Sequence, residues 1–207
     1  MGAGLKFGFK KSSVTLRGRR DIMAGKPTII WTIGHSNRTI EDFLDLLRAY
    51  HIQALADVRR FPGSRRFPQF GQEEFSGSLK QAGISYVHFP ELGGRRPVQP
   101  DSPNSNWRNA AFRGYADYML SAEFRSGIER LLAIARKQRT AIMCAEALWW
   151  QCHRALISDF LKIRSWTMLH ILGANKTQEH PFTSAARIVN DKLSYAPPLS
   201  QPEFRGL

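Results

Sequence analysis

The stretch Met143-Cys144-Ala145-Glu146-Ala147-Leu148-Trp149-Trp150-Gln151-Cys152-His153-Arg154 leaves a buried apolar run and ends in the first turn of a helix. Within it lie two thiols, a carboxylate, an imidazole and a guanidinium. A purely structural segment has little reason to collect those groups in so short a span, so a polar site is expected here. The run that feeds it, Arg139 to Cys144, reads as a strand. Cys152 to Ile163 reads as a helix, with Leu156, Ile157, Phe160 and Leu161 recurring on its core side. A strand that hands over to a helix through a polar loop is one βα unit.

Working outward, the same unit repeats. Pro27 to Ile33 reads as a first strand, ending in Gly34-His35-Ser36-Asn37. Thr39 then caps a helix that runs to Tyr50-His51, with Ile40, Phe43, Leu44 and Leu47 as its buried face. Gln53 to Val58 is a second strand, followed by a loop of Arg59, Arg60, Arg65 and Arg66 interrupted by Pro62, Gly63 and Pro68. Gln72 to Ala82 is a second helix stopped by Gly83, and Ser85 to Phe89 a third strand leading into Glu91-Leu92-Gly93-Gly94-Arg95-Arg96. Pro97 to Asn109 is a polar loop expected to act as a lid. From Ala110 the pattern is helical again, and Ser165 to Leu172 is a fifth strand. Short strand-like pieces follow around Ala186 to Val189 and Leu193 to Tyr195. The expected fold is α/β: a mostly parallel five-stranded sheet flanked by helices, in a Rossmann-like three-layer arrangement. The expected organisation is a basic arm over 1–26, one α/β domain over 27–196 and a tail over 197–207.

In such sheets ligands bind beyond the carboxyl ends of the strands, and the reactive groups fall there. His35 and Ser36 follow the first strand; His35 exceeds what a helix cap needs, while Ser36 is an ordinary cap residue. Asp57, Arg59 and Arg60 follow the second, where the alternatives are an internal ion pair and a phosphate contact. Glu91, Gly93 and Gly94 follow the third; the glycine pair is either a flexible turn or a weak phosphate loop. Arg113 and Tyr115 are expected to point to the same rim. Crowded arginines repel one another unless an anion offsets them, and the guanidinium fork suits phosphate. After the fourth strand, Glu146 is a proton acceptor if burial raises its pKa, and Asp57 is the second candidate acid or base; Cys152 is a candidate nucleophile, His35 or His153 a proton shuttle, and Arg154 a phosphate contact. Cys144, Cys152 and His153 would supply three metal ligands, but C-x₇-C-H is not a standard zinc spacing, so no cofactor is the favoured expectation. Of Trp149 and Trp150, which are adjacent, one is a candidate stacking platform for a base.

Composition narrows the function class. The chain has 207 residues, 43% of them hydrophobic, which suits a folded protein. No apolar run approaches the roughly 20 residues of a membrane helix, so no membrane partner is expected. Its only two cysteines, Cys144 and Cys152, rule out a disulfide framework and favour a reducing, cytoplasmic setting. The formal charge of +13 favours polyanions. Nearly half of it lies before Pro27, where seven basic residues face only Asp21. That segment reads as a mobile basic arm able to graze a phosphate backbone, as a transit-like segment, or as an extension ahead of a start at Met23, the last being preferred. The sequence carries no signature of an oligomeric state.

With these residues in place, the chain resembles the bacterial and archaeal proteins grouped as domain-of-unknown-function family 488. The resemblance rests on Thr32-Ile33-Gly34-His35-Ser36-Asn37-Arg38, Asp57-Val58-Arg59-Arg60-Phe61-Pro62, Glu91-Leu92-Gly93-Gly94, Phe112-Arg113-Gly114-Tyr115, Cys144-Ala145-Glu146, Cys152-His153-Arg154 and Leu169-His170-Ile171. It covers about residues 28 to 190. Leu148-Trp149-Trp150 departs from it, because family members more often carry a proline-containing turn there. The resemblance implies the fold and the site, and brings no activity with it. The residues themselves point to an enzyme acting on a phosphate-bearing substrate, a nucleotide or nucleic acid (DNA or RNA), of a hydrolase or glycosidic-bond-cleaving type. The alternatives are a non-enzymatic nucleic-acid-binding module and a metal or thiol-redox site at Cys144, Cys152 and His153.

Overall fold

Apolar residues with β-branched or aromatic side chains occupy the strands, and each strand hands over to a helix at a polar break. In the computed structural model, which describes residues 1, 28–63 and 65–198, that pattern folds as expected. The basic arm and most of the expected tail lie outside the described residues. β1 is Ile29–Gly34, α1 Ile40–Ala49, β2 Ala54–Asp57, α2 Gln72–Gln81 and β3 Ser85–His88. Then come α3 Ala110–Tyr118, α4 Ala122–Ala135, β4 Thr140–Cys144, α5 Arg154–Lys162 and β5 Thr167–Gly173. Thr39 does cap α1, its side chain accepting from the Asp42 N–H at 3.1 Å. The helical run after Ala110 is two helices, because Ser121 restarts it by capping the Phe124 N–H.

The sheet order is β3-β2-β4-β1-β5, all parallel, and the chain continues into β6 (Lys176–Glu179), which adds antiparallel to β5 as a sixth strand. The later strand-like pieces do not join this sheet. They form a separate hairpin of β7 (Arg187–Val189) and β8 (Lys192–Ser194). The chain leaves β1, crosses to β2 and β3, and returns to insert β4 between β2 and β1. The polar loops after these strands therefore open on one crevice.

Side chains alternate across the sheet and give it two buried faces. Trp31, Ile33, Leu55, Ala141 and Met143 pack with Phe43 and Leu47 of α1 and Phe75 and Leu79 of α2. Ile30, Ala56 and Ile142 pack on the other face with Tyr115, Phe124, Ile128, Leu131, Leu156 and Leu161 of α3, α4 and α5. This is the three-layer arrangement.

The 97–109 segment is not a free lid. Asp117 of α3 accepts hydrogen bonds from the Gln99 N–H at 2.9 Å, Ser102 Oγ at 2.6 Å and Asn104 Nδ2 at 2.8 Å. Trp107 packs against Phe112 and Tyr195. A polar loop is thus tied down by one carboxylate, which its composition alone does not reveal.

Two backbone approaches shape the site end of the sheet. Gly34 pairs with Cys144, and beyond the ladder the His35 and Ser36 N–H groups donate to the carbonyls of Cys144 (3.0 Å) and Ala145 (2.8 Å). A Cβ on Gly34 would lie 1.8 Å from the Glu146 carbonyl oxygen. Gly34→Ala should therefore push the Glu146 loop away and cost about 1–3 kcal/mol, a fall in Tm of roughly 3–10 °C. A variant melting with the wild type would contradict this packing.

Candidate functional site

The loops beyond β1, β2, β3 and β4, with the start of α3, line a cleft of about 810 Å³. Its walls carry Arg59, Arg60, Arg66 and Arg95, against Glu146 as the one carboxylate among the described residues. The guanidinium of Arg60 donates to the Arg95 carbonyl at 2.8 Å and lies over Phe61, and Arg66 lies over Phe67. The wall is positive, with aromatic rings supporting two of its cations.

Cys144, Cys152 and His153 form the floor. Cys144 is the last residue of β4, Cys152 and His153 lead into α5, and the short 3₁₀ turn Trp149–Gln151 brings the second thiol back to the first. His153 Nε2 lies 3.0 Å from the Val58 carbonyl, an oxygen that only accepts, so Nε2 carries the proton. The Nδ1 lone pair therefore faces the thiols, 3.7 Å from Cys152 Sγ and 3.9 Å from Cys144 Sγ. The His153 ring also rests against Tyr115, whose hydroxyl donates to the Leu92 carbonyl at 2.7 Å.

Arg154, expected as a phosphate contact, does not reach the cleft: it lies behind Cys152, is 1% exposed and spends its donors on internal partners. Its Nε donates to Cys152 Sγ at 3.4 Å, Nη1 to Thr32 Oγ1 at 3.2 Å and Nη2 to the Glu146 carbonyl at 2.5 Å. None of these acceptors is a carboxylate, and the Cys152 sulfur is the one among them able to hold negative charge. Burial alone would push the Cys152 thiol up, but the Cys144 S–H, Arg154 and His153 outweigh it and hold the thiol well below its ordinary range. Cys144 moves the other way, because its proton bridges to Cys152, it is buried, and a second anion beside Cys152 is repelled. The two thiols are thus pushed apart, Cys152 giving up its proton more readily than Cys144.

Sequence reasoning missed what holds Arg154. Thr32 Oγ1 lies 2.7 Å from His170 Nδ1, His170 Nε2 lies 2.9 Å from His180 Nδ1, and His180 Nε2 lies 3.0 Å from Asp159 Oδ1. Asp159 also accepts from Thr183 Oγ1 at 2.6 Å and Tyr195 Oη at 2.9 Å. Arg154 donates to Thr32, and Thr32, His170, His180 and Asp159 continue from it as one line of hydrogen bonds, with His180 Nε2 donating to the carboxylate. The available signal was Asp159 between the apolar Ile157 and Leu161 of a core-facing helix. Trp149 belongs to this layer rather than to a base-stacking surface, since it stacks on His170 at 4.3 Å and 5°; Trp150 is exposed.

The expected residues divide between the cleft and its supports. His35, Ser36, Arg59, Arg60, Gly94, Tyr115, Cys144, Glu146, Cys152 and His153 line the cleft. Asp57 does not act there as an acid or base: it is fully buried, and its carboxylate accepts from Arg59 Nε at 2.9 Å, Arg59 Nη2 at 2.6 Å, the Arg59 N–H at 3.0 Å and Tyr86 Oη at 2.8 Å. The ion-pair alternative is the one realised. His35 donates through Nδ1 to the Ser36 carbonyl at 2.9 Å, leaving Nε2 to face Arg59 Nη1 at 3.4 Å, and stacks on Phe70. Burial, with the charge of Arg59, lowers its pKa to about 4, so it is a neutral wall and not a shuttle at neutral pH. Glu91 pairs with Arg130 outside the cleft, because it lies on the α4 side of its loop. Arg113 is turned away by its bond to the Trp107 carbonyl at 3.0 Å. Gly93 and Gly94 are close-approach positions: a Cβ would lie 2.7 Å from Arg60 Cα and 2.9 Å from His153 Nδ1. Glu146 is exposed, so the burial expected of it is absent.

Two outcomes follow from these supports. Removing Asp57 leaves a buried guanidinium without a counter-charge, so Asp57→Ala should cost about 3–5 kcal/mol in urea denaturation; a loss under 1 kcal/mol would show that the pair is not what holds the β2 end. Burial first, then His180 and Arg154, lower His170 to about 2, and His35 lies at about 4. Both imidazoles stay neutral when folded but take up a proton near pH 6.5 when unfolded. Their contribution is therefore complete above pH 6.5 and is lost as pH falls, at up to about 1.4 kcal/mol per pH unit for each. Unfolding free energies that do not change between pH 7 and 5 would contradict this.

No curated protein and no solved structure matches the chain. Among the described residues, no helix is long and apolar enough to cross a membrane. One family model does match, over residues 39–161, more than half of the chain, from the helix after the first loop through α5. That span includes the arginine loop, both thiols, His153 and Arg154, and it places this chain in the family described as domain of unknown function DUF488.

Proposed function

We infer that the protein is an enzyme that draws a phosphate-bearing substrate, a nucleotide or nucleic acid, into the cleft and hydrolyses it at the floor. The observation that carries this reading is the pairing of a wall of four guanidinium groups with a floor of two thiols and an imidazole. The wall suits phosphate by charge and by the geometry of the fork. Arg60, Arg66 and Arg95 are the binding cations; Arg59 is held by Asp57 and stiffens the wall. The floor is more than a binding surface needs, because a thiol supported by a buried arginine and facing an imidazole Nδ1 is a reactive arrangement. Glu146, the carboxylate on the cleft wall, is the candidate proton acceptor. Glycosidic cleavage by paired carboxylates loses support, since Asp57 and Glu91 are engaged elsewhere.

The test separates wall from floor. With a fluorescent nucleotide and a short single-stranded oligonucleotide as probes, Arg60→Gln/Arg66→Gln/Arg95→Gln should weaken binding at least about tenfold and lower the salt dependence of affinity by roughly two to three charges. Cys152→Ser should keep that affinity and lose hydrolysis by on the order of 100-fold or more. Unchanged affinity in the arginine variant would remove the phosphate reading. Tight, salt-sensitive binding without turnover of nucleotides, RNA or DNA by the wild type would leave a nucleic-acid-binding module in place of an enzyme.

A further inference from the structure

We propose that Cys144, Cys152 and His153 hold a single zinc ion whose fourth position opens on the cleft. Three independent features of the floor argue for it. The first is spacing. The two sulfurs and Nδ1 all lie within 4.8 Å of one another, and Nδ1 is 3.7 and 3.9 Å from the sulfurs. A tetrahedral zinc with bonds of about 2.3 Å to sulfur and about 2.0–2.1 Å to nitrogen sets its ligand atoms roughly 3.5–3.8 Å apart. A lone S–H···N bond would draw one sulfur in; here both stand at nearly the same distance from one lone pair.

The second feature is the tautomer. The Val58 carbonyl takes the Nε2 proton at 3.0 Å, which leaves Nδ1 as a ligand atom aimed at the thiols. A backbone carbonyl behind the imidazole is the usual outer support of a metal-bound histidine. Arg154 Nε gives Cys152 Sγ a comparable support at 3.4 Å. Gly94 leaves the approach to Nδ1 clear, as any side chain there would begin 2.9 Å from it.

The third feature is ligand type and openness. Two thiolates and an imidazole in tetrahedral array select zinc over magnesium or calcium. All three residues line the cleft, so a fourth ligand comes from the solvent or the substrate, as in catalytic zinc sites. Two thiolates neutralise the ion and Arg154 remains positive beside it, so the fourth ligand is anionic: hydroxide or a substrate oxygen. The C-x₇-C-H spacing is no obstacle. Cys144 is held by the sheet and Cys152 by the turn at Trp149–Gln151, so the register between them is tertiary.

This inference supplies the ion for the centre just described, and only the use of its fourth position rests on that reading. The test uses the full chain, purified under reducing conditions, stripped with chelator and reconstituted with zinc or cobalt alone. Elemental analysis should return about one zinc per chain. The cobalt form should show tetrahedral d–d bands with a thiolate-to-cobalt charge-transfer band. Cys144→Ser, Cys152→Ser and His153→Gln should each weaken zinc at least tenfold in a chelator competition. Because a chain lacking a ligand can unfold, the wild-type cobalt spectrum stands as a second readout that needs no variant. Less than about 0.1 zinc per reconstituted chain, a cobalt spectrum without the thiolate band, or a Cys144–Cys152 disulfide in freshly purified metal-free protein would overturn the site. Zinc binding without affinity for nucleotide or oligonucleotide would remove the substrate reading and keep the ion. Hydrolysis by metal-free protein would remove the ion and keep the substrate reading.

Discussion

A guanidinium that is 1% exposed, with no carboxylate among its direct partners, is the constraint from which the site follows. Burying a charge without compensation costs several kcal/mol or more, on the order of the desolvation of an ion. Arg154 is compensated in two ways. On one side its Nε faces the Cys152 sulfur, which it favours as an anion. On the other, Thr32, His170, His180 and Asp159 form a line of hydrogen bonds in which every donor meets an acceptor. The nearest carboxylate on that line, Asp159, lies four links away, at the far end of a pair of histidines. Neither half stands well alone: without the Cys152 sulfur Nε lacks an acceptor, and without Thr32 and the histidines behind it the arginine lacks an orientation.

The sheet makes this possible. Thr32 sits on β1, His170 on β5, and Arg154 on the helix that follows β4. Because β4 and β5 flank β1, these three residues meet across adjacent strands and not along the chain. The same adjacency lays the loop after β1 against the loop after β4, where Gly34 permits contact with the Glu146 backbone. The neighbouring Asp57–Arg59 pair does for β2 what the relay does for α5. It fixes a buried cation at the strand end and presents its His35-facing edge as a rigid wall. Two buried arginines are thus anchored differently, Arg59 in the cleft wall and Arg154 behind Cys152 of its floor.

Charge then divides the labour among the arginines. Arg59 and Arg154 are committed to internal partners. Arg60, Arg66 and Arg95 stand at the wall with rings or carbonyls beside them and are free to meet an incoming anion. A sequence reader sees six arginines in two loops and weighs them alike. The fold separates those that hold the architecture from those that face the cleft, and this matters because only the latter contribute a salt-dependent affinity.

Much was legible before the fold. Alternating apolar runs and capped helices gave the parallel α/β body, the Thr39 cap and the placement of reactive groups at strand ends. The cluster from Cys144 to Arg154 marked the site, because those residue types have no common structural use at that spacing. What the chain could not disclose was which polar groups were already satisfied. Asp57, Glu91 and Arg113 look as reactive in sequence as Glu146 and His153, yet Asp57 is held by Arg59 and by Tyr86 of β3, Glu91 by Arg130 of α4 and Arg113 by the Trp107 carbonyl. Nor could it show that the 97–109 loop is pinned by Asp117, or that His170, His180 and Asp159 join behind Arg154. Local pattern determines where the backbone bends and which faces are apolar, since those depend on neighbours within a few residues. Partnership among buried polar groups depends on strands brought together from distant positions, so only the tertiary structure decided it.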